Sequence, residues 1–334
     1  MNSFYYASLD KSQKLIYEGL LSGLKNIDGA IRLKSNETPQ KILEIFSNII
    51  YDFPELYYVK KSFNISSSVI KKELRLNYTY SKSQIIATNR SLESEANKII
   101  EKNTTARQSE YEKVLVVHDY LKKNIAYDNE ALKNDADDSE MEFVDSYTII
   151  GALLKHKCVC AGFSLAMKYL CDKIGIDCHV IPGTGNSNIF SGPHAWNLVN
   201  IDGYYHHIDV TWDNQYANDS AIPNYGYFGL NDETISMDHS WNRNIYPKVS
   251  ETPYNYFVMS KSLIVSKNHL EKYILENMRK KNPDILFKIK MENLTETEAT
   301  EDIKRILLSD SSNIKNYYIQ WIPTQLVFMI KINY

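Results

Sequence analysis

Asp202-Gly203 separates two apolar runs, residues 194–201 and 204–212. A tight two-residue turn needs positive φ, which glycine adopts without steric cost. The pair therefore predicts an antiparallel hairpin, and the turn length dictates the register of both arms. Counting outward, Ile201 faces Tyr204, Leu198 faces His207, Trp196 faces Asp209 and His194 faces Thr211. Residues opposed across an antiparallel pair share a face. His194 and Asp209 are then diagonal neighbours, about 7–8 Å apart at the backbone. An imidazole and a carboxylate can span that gap. A three-residue loop would shift the register by one and break the pairing.

A helix is predicted just upstream. From Cys160 onward, Phe163, Met167, Leu170 and Ile174 fall on one helical face, and Gly175 follows where a left-handed cap needs it. Cys160 then lies in the first turn. There the free N–H groups and the positive end of the dipole favour thiolate over thiol. Gly162 leaves space near the sulfur for an incoming backbone, and the same N–H groups can hold an oxyanion. Thiol, imidazole and carboxylate are the parts of a cysteine nucleophile, its base and the base's orienting group. Cys158 competes as nucleophile, but it precedes the helix and has less help from the dipole. His207 shares the face of His194 and Asp209 and is a reserve base; His239, in a polar loop, is a second candidate cleft residue. His118 sits in a helix stripe and reads as core.

All four cysteines, 158, 160, 171 and 178, lie in one short stretch, unlike a dispersed disulfide framework. Their spacing fits no common zinc pattern, although a Cys171–Cys178 bridge stays open. A metal site using His194, His206 and a cysteine is the weakest reading; no metal and no cofactor are expected. A net charge of -3 gives no reason to expect nucleic acid as a partner. No apolar run reaches transmembrane length. The start, Met1-Asn-Ser-Phe-Tyr-Tyr, lacks the segments of a signal peptide. That suggests cytoplasm, or secretion or the cell surface if a leader has been removed.

The 334 residues allow two or three domains. Residues 1–105 read as an accessory α+β region with no legible chemistry. Helical spacing of Leu15, Ile16, Gly19, Leu20 and Leu24 is followed by a Thr38-Pro39 helix start, strands at 55–63 and 74–80, and a helix over 83–103. Residues 106–258 form the core. It holds helices at 107–125 and 146–155, an acidic loop at 129–142, and a polar loop after Trp212. Residues 259–334 read as a small α-β-α-β-β domain.

The chain resembles the transglutaminase-like superfamily within the papain-like cysteine enzymes. Three segments carry the resemblance: Cys160-Ala-Gly162-Phe163, His194-Ala-Trp196-Asn197 and Asp209-Val-Thr211-Trp212. His118-Asp-Tyr-Leu with Tyr127-Asp128, and Tyr227-Phe228 followed by Asp232 and His239, are similar to segments flanking the core in bacterial members. The resemblance covers roughly residues 107–245, and Cys158 departs from the glycine usual before the nucleophile. It implies an α+β protein with a papain-like core, a helix packed on an antiparallel sheet, and a Cys160–His194–Asp209 triad acting on a protein or peptide substrate through a thioester. Gly162, Trp196 and Trp212 are expected to line the substrate cleft. Hydrolysis, as in a cysteine protease or amidase, is favoured because water is the default acceptor. Amine transfer, as in a transglutaminase, and a non-catalytic surface or assembly module are the alternatives.

Overall fold

The computed structural model describes residues 3–67, 71–134, 144–187, 191–215, 224–292, 294–309 and 314–334. Its contacts group residues 1–205 with 240–248 as one unit, and 206–239 with 249–334 as a second. The architecture is α+β, with helices packed on mainly antiparallel sheets.

In the first unit, helix Lys11–Asn26 opens on a capping box at Asp10, and helix Pro39–Asp52 starts with Thr38 as cap and proline in its first turn. Tyr17, Leu20 and Leu24 from one, and Ile42, Ile45 and Ile49 from the other, are buried together with Phe46. Leu15 is 64% exposed, because the stripe that faces the core starts one residue later, at Ile16. The spacing had included both. Three antiparallel strands follow in the order Ala30–Lys34, Lys71–Tyr78, Val59–Ser67. The strand expected at 55 begins only at Val59, since Pro54–Leu56 form a 3-10 turn.

Helices Lys82–Asn103 and Glu110–Asn124 both begin with a capping box, Ser81 with Gln84 and Ser109 with Glu112. Within the segment expected as an acidic loop, residues 129–134 are a short helix, and 135–142 lie outside the described residues. The polar loop expected after Trp212 falls largely on residues 216–223, which also lie outside them. Helix Cys160–Lys173 buries Phe163, Met167 and Leu170, each removing roughly 1.5–3 kcal/mol of apolar surface from water. It ends at Gly175 with φ +77, the predicted left-handed cap. Strands Cys178–Asn186 and Ser191–Ile201 pair antiparallel from Cys178↔Val199 to Asn186↔Ser191. Asp202 and Gly203 have φ 49 and 88, so the turn has the two-residue geometry that the sequence predicts.

In the second unit, His207 pairs with Leu230 and Ile208 with Phe228. The strand stops at Ile208, and Val210–Gln215 is a short helix. Thr211 and Trp212 are therefore helical, not the strand residues that the hairpin count assumed. The C-terminal part is a sheet ordered Leu263–Ile264, Asp284–Ile289, Val327–Asn333, Asn316–Ile322, with helices Lys267–Arg279 and Glu296–Ser309. Its core packs Leu270, Ile274, Phe287, Ile303, Leu307 and Phe328.

Candidate active site

Cys160 is the first residue of its helix, after Val159. The segment before it is tied down from several sides. Val159 N–H donates to the Ser146 carbonyl at 2.9 Å, and Ser146 Oγ donates to Asp128 Oδ2 at 2.6 Å. Asp128 N–H donates to the Cys158 carbonyl at 3.0 Å, and Lys157 Nζ lies 3.2 Å from Asp128 Oδ1. Burial pushes the Asp128 carboxyl up, but Ser146, the Ala131 N–H and Lys157 outweigh it, and the net shift is downward. Tyr127 stacks on Phe163 at 6.4 Å. The helix thus starts from a braced loop, and the first-turn N–H groups of residues 160–162 have no intrahelical acceptor.

The two candidate thiols differ sharply. Cys158 is fully buried, and burial, then the neighbouring Cys160 charge, pushes its thiol well up. Cys160 is partly exposed. A buried neutral thiol is a poor nucleophile, so the environment adds to the preference for Cys160 that its place in the first helical turn already gave. All four cysteines are free thiols, Cys171 and Cys178 included. Gly162 does not open space for an incoming backbone. A Cβ there would lie 2.6 Å from Cys158 Cβ and 2.8 Å from the Ser146 carbonyl oxygen, so the missing side chain lets the helix seat on the braced loop.

His194 lies on the strand directly against this helix. Ser164 Oγ sits 2.8 Å from the Ala195 carbonyl and 2.7 Å from the Cys160 carbonyl, and Asn197 Nδ2 donates to the Ser164 carbonyl at 2.9 Å. The helix that starts at Cys160 and the strand that carries His194 are therefore bonded through Ser164, one turn after Cys160, to Ala195 and Asn197, one and three residues after His194. Across the sheet, His194 is paired with Gly183. A Cβ at Gly183 would meet the Ser240 carbonyl at 2.2 Å and the Trp196 ring at 2.7 Å. Only glycine lets that ring lie beside the imidazole, stacked at 6.1 Å. Trp196 is 1% exposed and packs edge-on against Trp241 at 5.8 Å.

Asp209, in the second unit, caps the short helix: its Oδ1 accepts from the Trp212 N–H at 3.1 Å. Its Oδ2 lies 3.0 Å from His239 Nε2. His239 Nδ1 lies 2.6 Å from Asp238 Oδ1, and Tyr227 O–H donates to Asp238 Oδ2 at 2.7 Å. The Trp212 ring, fully buried, stands 4.3 Å from the His239 ring. His207, the reserve base, bonds Asp232 at 2.9 Å. His206, from the metal reading, is fully buried and has no hydrogen-bond partner on either ring nitrogen among the described residues.

Two residues enter that no local pattern marked. Tyr51, on the last turn of Pro39–Asp52, has its hydroxyl pushed up by burial and then by the nearby Cys160 charge. It comes from the region where no chemistry was legible. Asp238 completes the contact with His239; an adjacent Asp-His pair in a polar loop is too common a dipeptide to signal this.

Residues 97–210 match the model of the transglutaminase-like superfamily, a stretch that contains Cys160, His194 and Asp209. Kyphoscoliosis peptidase of Mus musculus is 28% identical over 150 residues, which is 42% of this chain and 21% of the mouse protein. The chain thus spans well under two thirds of that relative. Among solved structures, one described as a TGase aligns at 19% identity and TM-score 0.32, covering 55% of this chain and 50% of its own. An arylamine N-acetyltransferase from Bacillus cereus aligns at 12% identity and TM-score 0.28, covering 36% of this chain and 49% of its own.

Proposed function

From the transglutaminase-like core at residues 97–210, we propose that this protein transfers acyl groups from protein or peptide amides through Cys160, with His194 as base and Asp209 as orienting acid. The observation that carries the reading is the bonding of the Cys160 helix to the His194 strand through Ser164 and Asn197. Cys160 Sγ attacks the amide carbonyl carbon, and the N–H groups of the helix's first turn hold the oxyanion. His194 gives its proton to the leaving amine, and the collapse leaves a thioester. Water, deprotonated by His194, then attacks the thioester and releases acid and thiol. Asp209 keeps the imidazole in the tautomer that can accept from sulfur. Hydrolysis is the favoured outcome because excluding water in favour of an amine demands a dedicated dry acceptor pocket.

Iodoacetamide at pH 7 tests the nucleophile. Peptide mapping is expected to find Cys160 alkylated well before the other three cysteines, with that selectivity lost in His194→Ala. Equal, slow alkylation of all four would instead favour a binding module that keeps the fold. In the working enzyme, Cys160→Ala is expected to lower peptide hydrolysis by on the order of 10⁴-fold or more.

A further inference from the structure

His239 faces a carboxylate oxygen at each ring nitrogen: Asp209 Oδ2 at 3.0 Å from Nε2 and Asp238 Oδ1 at 2.6 Å from Nδ1. The three side chains are at most 1% exposed. A nitrogen and an oxygen at such distances need a proton between them. A neutral imidazole carries one N–H and fills one contact only. Two carboxylates and one imidazole therefore share two protons. Placing both on the ring lets each N–H donate to an ionised oxygen, the stronger form of the bond. The Trp212 ring at 4.3 Å favours a cation beside it.

We propose that His239 is a positioning residue: an imidazolium that clamps the orienting acid Asp209 from behind, itself held by Asp238. The inference rests on the acyl-transfer reading above and deepens it. Asp209 is gripped on two sides, by the Trp212 N–H on Oδ1 and by His239 on Oδ2. Two bonds leave a carboxylate little freedom to rotate, so its remaining lone pairs keep a fixed direction. Without the clamp, the buried anion would seek another donor. The chain of contacts continues outward. Asp238 accepts from Tyr227 O–H, and that oxygen lies 3.3 Å from Thr324 Oγ1. Among the described residues of the same unit, the ionisable groups facing the cluster include Asp213, whose Oδ1 accepts from the Tyr227 N–H at 3.0 Å, and Lys288. Burial pushes the Lys288 amine down to about 8 against the pull of Asp238, and its Nζ donates to Gln325 at 2.9 Å.

Two isosteric variants separate positioning from bulk. The amide nitrogen of glutamine can occupy the place of Nε2 and donate to Asp209. That of asparagine reaches only the place of Nδ1, on the Asp238 side. Hydrolysis of N-acetylglycine p-nitrophenyl ester is the probe. His239→Gln is expected to keep kcat within about fivefold of the parent, and His239→Asn to lose about 10- to 100-fold in kcat with KM unchanged. Equal kcat in the two variants overturns the proposal. Nitrogen-15 NMR of histidine-labelled parent protein supplies a reading that needs no folded variant. Two ring N–H signals from His239 at pH 7 support the clamp, and a single one overturns it. Cys160→Ala separates this inference from its parent. Full activity there sinks both, whereas an inactive Cys160→Ala beside a fully active His239→Asn sinks the clamp alone.

Discussion

His206 shows how much one side chain can cost without a partner. It is fully buried, neither ring nitrogen is hydrogen-bonded among the described residues, and the Tyr254 ring stands edge-on at 5.8 Å. Burial first, and the adjacent His207 second, lowers its pKa to about 4 from the ordinary 6.5. The unfolded chain takes up this proton as pH falls below about 6.5, and the folded chain does not. Stability at this residue is intact above that pH and is lost as pH falls towards 4. His206→Phe removes the titration and keeps a ring of similar size. Urea midpoints at pH 7 and pH 4.5 are expected to differ less in that variant than in the parent; an identical difference would refute the assignment. Two other histidines of this unit are hydrogen-bonded instead. His207 has Asp232, and His239 has two carboxylates.

The elements that carry the candidate site are a helix and a strand joined by polar bonds inside a buried layer. Ser164 is 2% exposed and touches carbonyls on both. Ser164→Ala leaves the Ala195 carbonyl without that hydroxyl and is expected to cost about 1–2 kcal/mol of stability, read by urea unfolding. Activity should fall further than stability predicts, because the helix start holds Cys160 and the strand holds His194. Unchanged activity in a destabilised variant would show that this bond supports the fold alone. The same elements were legible in advance to different degrees. The 160–173 helix followed from apolar period and a terminal glycine, and the turn at 202–203 from its dipeptide. The end of the strand at Ile208 did not, because Asp209 reads equally well as a strand residue or as a helix cap. Its side chain bonding the Trp212 N–H decides for the cap, a contact that alternation of apolar residues cannot encode.

At the scale of the molecule, each unit is assembled from stretches far apart in the chain. In the second unit, a Cβ at Gly226 would meet Ile322 at 2.9 Å, and Tyr227 reaches Thr324. The Gln325 side-chain amide also approaches the Thr234 carbonyl at 3.5 Å. Removing residues 260–334 strips these partners from the segment that holds Asp209, Asp238 and His239. Hydrogen exchange is expected to quicken across residues 225–239 in the truncated chain. Unaltered protection there would mean that the C-terminal sheet is dispensable to that segment. No described helix is long and apolar enough to cross a membrane.

Residue order alone determined the things that depend on near neighbours along the chain. The period of buried side chains, the caps at Asp10, Thr38, Ser81 and Ser109, and the left-handed turn residues all follow from φ/ψ preference and local hydrogen bonding. Tertiary structure decided what fills the space beside Gly162, which thiol is shielded, and that Asp209 is held by a histidine 30 positions away. Those outcomes turn on burial and on which side chains are pressed together. Such contacts are selected by the packing of whole layers, and no short run of residues carries that information.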